Sequence, residues 1–448
     1  MQKVICFILF FMMSITSVLA ESIDKTLNKM NINKGAVSVM IKNVQSGDTV
    51  YALNETTPMH PASTLKILTS SAAVDTLGAD YKFKTQLYKS TNNDLYFKLS
   101  GDPLLKTSDL EKLIKAAKTK KITPKNIYID DSVFDKNEWG EGWQWDDELN
   151  PLMPKFSAYN LNKNLLYLYI NPSQNGSPAT IEIDSSYPVP FMNYTKTVLN
   201  GVSNVGIAKN EEIPNLLNIV GTVSKKLTKV LPVRSPKLNF ILCLEDVIRD
   251  SGFEYYSKIT SAKMPAQNIY LVGGVEHSLE NILPLILKNS DNFAAETVFK
   301  MGGAVYANSQ GSFANSQKML DAYFEKLDLN SADIKIVDGS GVSKNNLMTA
   351  EFMTNFLMNR ANAGEFEEFK ELLPKPSEGT LKNRMLYFQD NLHAKTGTLA
   401  NTSAIAGYLT SKRGKLFAFD IMINDARTSD ADKKNIEEQI LRTLYMSY

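Results

Sequence analysis

Between residues 36 and 53 apolar and polar side chains alternate in two runs, 36–43 and 48–53, around Ser46-Gly47, and alternation about a turn predicts a strand pair. Ile23, Leu27 and Met30 precede them at helical spacing, and a second helix is expected from Ser63, with Leu65, Leu68, Ala72 and Ala73 on its apolar face. From residue 83 to about 265 the pattern changes to short strands at 84–88, 95–99, 126–130, 165–170, 180–184 and 218–223, punctuated by helices at 109–120 and 238–251. Beyond about 267 helical periodicity returns at 279–288, 292–301, 316–327 and 350–363. An alternating pair, 402–410 and 415–423, then leads into a closing helix at 431–445. Two helix-strand blocks thus bracket a strand-rich insert. The fold class this predicts is α+β and multidomain: one domain from 21–82 plus 266–448, and an inserted region at 83–265 of one or two strand-rich domains, with a nested one near 165–235.

The first twenty residues stand apart. Lys3 precedes ten unbroken apolar residues, Val4 to Met13, and Val18-Leu-Ala20 has the small-residue pattern of a cleavage site. Residues 1–20 are therefore expected to be a signal peptide and the mature chain to be exported, with the periplasm preferred. An uncleaved anchor is disfavoured because the segment is short for a bilayer and interrupted by Ser14, Thr16 and Ser17, so no stable transmembrane anchor is expected. Of 49 Lys and Arg, only Lys3 goes with the leader, leaving 48 basic residues against 48 acids, a neutral balance that argues against nucleic acid as a partner. Cys6 leaves with the leader too, so Cys243 stands alone and an intramolecular disulfide is excluded. His60, His277 and His393 have no zinc-ligand spacing, so neither a metal nor another cofactor is expected.

The candidate chemistry lies in three short motifs in fixed order: Ser63-Thr-Leu-Lys66, Ser290-Asp-Asn292 and Lys395-Thr-Gly397. A serine and a lysine three apart on a helix share a face, and a serine at the helix start gains from the N-terminal dipole as negative charge develops on its oxygen. An ordinary lysine is protonated near neutrality, so Lys66 can act as a base only if burial or a second cation lowers its pKa, and Lys395 would supply that cation across a cleft. Ser290 and Asn292, two apart before a helix, can face one cleft. Either of them, or Asp291, could instead cap that helix with Glu296 as capping-box partner, and Ser63 alone could be a mere cap. Lys395-Thr-Gly397-Thr398 suits a strand at a cleft edge, where lysine and hydroxyls hold a carboxylate and an adjacent N–H completes an oxyanion hole.

Around these motifs stand Pro61-Ala62, Ser100-Gly-Asp-Pro103, Asp130-Asp-Ser132, Asp338-Gly-Ser-Gly341 with Ser343, Gly379-Thr-Leu381, and Ala394 to Thr398 with Ala406-Gly-Tyr408. Together they resemble the class C low-molecular-mass penicillin-binding proteins, the D-alanyl-D-alanine carboxypeptidase/endopeptidases of peptidase family S13. Lys66 and Ser290 are 224 positions apart, a gap far longer than in a class A β-lactamase. The resemblance implies a transpeptidase/β-lactamase-like domain, an antiparallel sheet flanked by helices, with inserted domains in that gap. It implies Ser63 as nucleophile, Lys66 as its base, and Ser290 as the relay to the leaving amine. Asn292, Lys395, Thr396 and Thr398 would bind substrate, and the backbone N–H groups of Ser63 and Thr398 would form the oxyanion hole. An acid of the insert would read the diaminopimelate side chain; in Gly142-Trp-Gln-Trp-Asp-Asp147 the candidates are Asp147 and Asp146.

The implied partners are peptidoglycan stem peptides, with β-lactams as covalent inhibitors. Two other functions stay open on sequence: a β-lactamase, which would need a positioned water for fast deacylation, and a catalytically silent wall-binding or β-lactam-sensing protein.

Overall fold

Along the strand Leu416–Asn424 the odd-numbered Phe417, Phe419, Ile421 and Ile423 are all buried in one core, while Ala418, Asp420 and Met422 point to the opposite face. That alternation fixes the register of the five-stranded antiparallel sheet to which it belongs, because a slip of one residue would exchange the faces. The strand order is Leu392–Leu399, Thr402–Thr410, Leu416–Asn424, Val37–Asn43 and Thr49–Leu53. One face packs on the closing helix Asp430–Ser447, through Ile436, Ile440, Leu441 and Leu444, and on Ile23 and Leu27 of a helix at 21–29. The other is covered by the helix Ala350–Ala361, whose Thr354 hydroxyl donates to the Met40 carbonyl, and by the 3-10 turn Ala62–Leu65 that leads into the helix Lys66–Leu77.

The structure is a computed structural model and describes residues 21–30 and 32–448; the expected leader lies outside the described residues. The chain forms two compact units. The first comprises the described part of 1–81, Gly140–Trp143 and Leu279–Tyr448; the second comprises Lys82–Trp139 and Gln144–Ser278. The first therefore carries the sheet described above together with the helices Leu279–Leu287, Asn292–Ala307 and Phe313–Lys326.

In the second unit a mixed five-stranded sheet runs in the order Ile259–Ser261, Ile127–Asp130, Leu95–Lys98, Lys82–Ser90 and Ile269–Ser278. Its core is shared with the helices Thr107–Thr119 and Pro236–Ser251. Cys243, on the latter helix, is a half-buried free thiol that burial pushes up to about 11. Residues 165–232 build two three-stranded sheets, one of Leu227–Pro232, Leu165–Asn171 and Thr180–Ile183, the other of Phe191–Thr197, Leu217–Val223 and Asn204–Lys209. The strand Ile269–Ser278 occupies a stretch for which the sequence pattern gave no element. It pairs with Lys82–Ser90 across a bulge near Val272, which interrupts the alternation that would have marked it. Among the described residues no helix is long and apolar enough to cross a membrane, and no group of three or more His, Cys, Asp or Glu could hold a metal ion.

Candidate active site

Ser63 sits in the turn Ala62–Leu65, one residue after Ala62, which holds a left-handed φ of 49°. Lys66 opens the following helix and is fully buried. Its ammonium donates to Ser63 Oγ at 2.9 Å, to Asn292 Oδ1 at 2.7 Å and to the Ser340 carbonyl at 2.6 Å. The first two motifs are thus joined by one lysine. Burial lowers that lysine to about 8, against the pull of Asp338, Glu296 and Asp291, which favour the charged form.

The second motif divides its labour. Asp291 caps the helix Asn292–Ala307 by accepting from Ala294 N at 3.0 Å, which leaves Ser290 and Asn292 to face the lysines. Ser290 has a φ of 61°, strained for a residue with a side chain, and its hydroxyl accepts from Lys395 Nζ at 2.8 Å. Lys395 is fully buried and also donates to the Thr396 carbonyl at 2.8 Å. Its pKa lies well below the ordinary lysine value, first through burial and second through the nearby Lys66 charge. Gly397 is required by close approach: a Cβ there would lie 2.8 Å from the Pro61 carbonyl oxygen and 3.0 Å from Ser63 N. The third motif therefore runs directly past the backbone amide of the candidate nucleophile. Thr398, exposed near the end of the same strand, pairs with Ser403.

Four groups with no assigned site role in the sequence reading support this constellation. Glu296 is not a capping-box partner. It is buried and accepts from Gly339 N at 2.9 Å and Ser340 N at 2.8 Å, aiming the Ser340 carbonyl at Lys66. Burial and neighbouring Asp338 raise its pKa. Asp338 accepts from Gly341 N, Ser343 N, Asn346 Nδ2 and Trp143 Nε1, all within 2.7–2.9 Å. Asn292 and Glu296 are four apart, so helical spacing alone placed the acid on the asparagine's face. Trp143 thus packs and also holds Asp338. Thr380 lies 2.7 Å from Thr396, oxygen to oxygen. Apart from these, Arg384 donates to buried Glu437 at 2.6 Å.

Asp147 and Asp146 lie in the 3-10 turn Trp145–Leu149 of the second unit, with Asp146 exposed and Asp147 half-buried. Their neighbour Glu148 is occupied by Lys209 at 2.7 Å and Arg234 at 3.3 Å.

A buried lysine touching a serine hydroxyl, with a second buried lysine on a second serine, defines an active-site serine hydrolase that works without histidine. The D-Ala-D-Ala carboxypeptidase 3 (S13) family matches residues 19–445, and the chain belongs to that family, as a serine-type D-Ala-D-Ala carboxypeptidase. It is 25% identical over 436 residues to a D-alanyl-D-alanine carboxypeptidase of an Actinomadura species, covering 91% of this chain and 81% of that protein. The crystal structure of penicillin binding protein 4 from Haemophilus influenzae shares the fold with a TM-score of 0.82 at 24% identity, over 94% of this chain and 98% of that one. A second structure of that protein, complexed with a novel β-lactam, has a TM-score of 0.78 at 23% identity, over 94% and 99%.

Proposed function

We propose that this protein is an exported serine D,D-peptidase that removes the terminal D-alanine of peptidoglycan stem peptides and cuts D-Ala-diaminopimelate cross-links through a Ser63 acyl-enzyme. The observation that carries this reading is the pair of lysine-to-serine contacts, Lys66 to Ser63 at 2.9 Å and Lys395 to Ser290 at 2.8 Å, within one unit. With a pKa of about 8, roughly a tenth of Lys66 is neutral at pH 7, enough to take the Ser63 proton. Ser63 Oγ bonds to the carbonyl carbon of the penultimate D-alanine, and the oxyanion sits between the N–H groups of Ser63 and Thr398. Collapse breaks the C–N bond. The leaving amine takes a proton through Ser290, steadied by Lys395, while Asn292 holds a substrate amide and Thr396 and Thr398 hold the terminal carboxylate. Water then adds to the ester, regenerating Ser63 and releasing the shortened peptide.

For side-chain recognition the reading assigns Asp147, with Asp146 as the alternative. Glu148 is already paired with Lys209 and Arg234, which leaves the two aspartates before it as the candidate acids. β-Lactams, whose strained amide resembles the same dipeptide, are expected to acylate Ser63. The relative captured with a β-lactam supports this.

The test incubates wild type and Ser63→Ala with a fluorescent penicillin and, separately, a diaminopimelate-containing muropeptide. Stable label and D-alanine release, both lost in Ser63→Ala, are expected. Label that turns over rapidly makes the protein a β-lactamase, and an unlabelled wild type removes Ser63 as nucleophile.

A further inference from the structure

In the second unit the helix Pro236–Ser251 carries two stripes. Phe240, Leu244, Val247 and Ile248 belong to the core, whereas Asn239, Cys243 and Asp246, spaced by four and three, line a cavity of about 560 Å³. Another wall comes from the turn Asn162–Asn164, where three consecutive residues hold left-handed φ values of 50°, 58° and 53°. That conformation is unfavourable for any residue with a side chain, and here the buried Asn164 fixes it, accepting from Leu161 N at 3.1 Å and donating to the Lys155 carbonyl at 2.9 Å. The turn thereby sets Lys163 on the cavity lining, to which the strand that follows adds Tyr167, 40% exposed.

The protein itself does not use up the polar groups on these walls. Asn239 is 2% exposed; its Oδ1 accepts from the Cys243 thiol at 3.9 Å, and its Nδ2 has no partner among the described residues. A buried amide donor without an acceptor is costly, so its place on a cavity wall points to a ligand oxygen. Asp184 Oδ1 accepts from Tyr167 N at 2.9 Å and Asp246 Oδ1 pairs with Arg249 at 2.6 Å, which leaves Oδ2 of each acid without a partner among the described residues. Both acids are felt inside the cavity: after burial, their charges push the Cys243 thiol up to about 11. Lys106 and Lys163 bring positive charge to the same lining. Two acids, two lysines, a buried amide donor and an aromatic ring suit a ligand that has an amine, carboxylates and a peptide carbonyl. We propose that this cavity binds a peptidoglycan stem peptide, its amine at Asp184 and Asp246 and its carboxylates at Lys106 and Lys163, as a second site in addition to the one at Ser63; the identity of the peptide rests on the D,D-peptidase reading above. Such a site holds the enzyme on a polymeric substrate between cleavages and raises the effective concentration of further stems.

The test uses the chain without residues 1–20, in which Cys243 is the only cysteine, after benzylpenicillin has filled the Ser63 site. The probe is the tripeptide L-alanyl-γ-D-glutamyl-meso-diaminopimelate, which has no D-Ala-D-Ala bond to cleave. Mass spectrometry follows the alkylation of Cys243 by iodoacetamide, and isothermal titration calorimetry of the same probe runs in parallel. Saturating tripeptide is expected to slow alkylation about tenfold and to titrate as one site. Its diacetylated trimethyl ester, which lacks every charge, should neither protect nor titrate. Lys163→Met, and Asp184→Asn combined with Asp246→Asn, should each weaken the tripeptide about tenfold while penicillin uptake, the check on folding, stays at the wild-type rate. Neither protection nor heat at about 10 mM tripeptide overturns the proposal. Equal binding of the ester by wild type overturns it too, with no variant needed, as does undiminished binding in both charge variants. A wild type that neither takes up penicillin nor releases D-alanine overturns the D,D-peptidase reading instead, while the tripeptide titration still decides the cavity, so the two failures are distinguishable.

Discussion

The two units bury their polar groups differently. In the first, Lys66, Lys395, Glu296 and Asp338 are fully buried and linked to serines, carbonyls and backbone amides around three motifs. In the second, the charged residues Glu148, Lys209 and Arg234 meet where each is still about a quarter exposed, and Met192, Tyr194 and Val220 of one three-stranded sheet face outward. Buried charge is costly unless it is bonded. The first unit accepts that cost for lysines, two of them with lowered pKa, whereas the buried charges of the second are the carboxylates Asp94, Asp102, Asp109 and Asp130, with no buried lysine among its described residues. The buried lysines single out the first unit as the candidate for the proposed chemistry without appeal to any motif.

The strongest way to break this contrast is Lys66→Ala. Penicillin acylation should fall by about 10³-fold or more, measured by stopped-flow labelling, because the serine loses its base. An effect of a few fold would mean that the buried lysine is structural.

Next, Glu296→Ala leaves the Gly339 and Ser340 amides buried without an acceptor and should cost about 2–4 kcal/mol by urea unfolding. Glu148→Ala in the second unit should cost about 1 kcal/mol or less, since its ion pairs remain in contact with water. Equal costs would erase the distinction.

A glycine pair sharpens it further. In Gly397→Ala the new methyl meets backbone at 2.8 Å and should slow acylation by about 10²-fold, whereas in Gly206→Ala it meets only Val220 Cγ2 at 3.6 Å and should leave labelling unchanged. The smallest expected effect is on pH dependence. In the proposed mechanism Lys66 must lose its proton to act, and its pKa is lowered from 10.5 to about 8, so the neutral fraction grows as pH rises through that value. The acylation rate should climb about tenfold between pH 6 and 7 and level off above about 8. A profile flat from pH 6 upward would assign the base elsewhere.

The division between units also governs what was legible in the sequence. Both strands of the 402–423 hairpin and the helices of the first unit other than Phe366–Leu372 could be read because buried faces impose clean periodicity; that short helix buries only Phe369 and shows none. In the second unit the strands Phe191–Thr197, Asn204–Lys209 and Leu227–Pro232 were missed: they are half-exposed, and tyrosine, threonine and lysine replace the alternating aliphatics. At the candidate site the three motifs could be read from residue chemistry and order, and Glu296 was within reach from its spacing to Asn292. The Ser340 carbonyl could not be found, because a backbone acceptor leaves no trace in side-chain identity. Nor could Thr380, whose partner is sixteen residues away on another element.

The pairing of Val37 with Ile423 closes the first sheet across nearly the whole chain. Ser63 and Lys66 are therefore synthesised long before Ser290 and Lys395, with the entire second unit between them. Contacts so distant in sequence form slowly, and a chain made from its N-terminus can fold the intervening unit first. Reactivity is then expected only at the end of folding: an unfinished chain that has made the turn Ala62–Leu65 and the helix Lys66–Leu77 but not Leu392–Leu399 holds a serine and a lysine without the strand that carries Lys395.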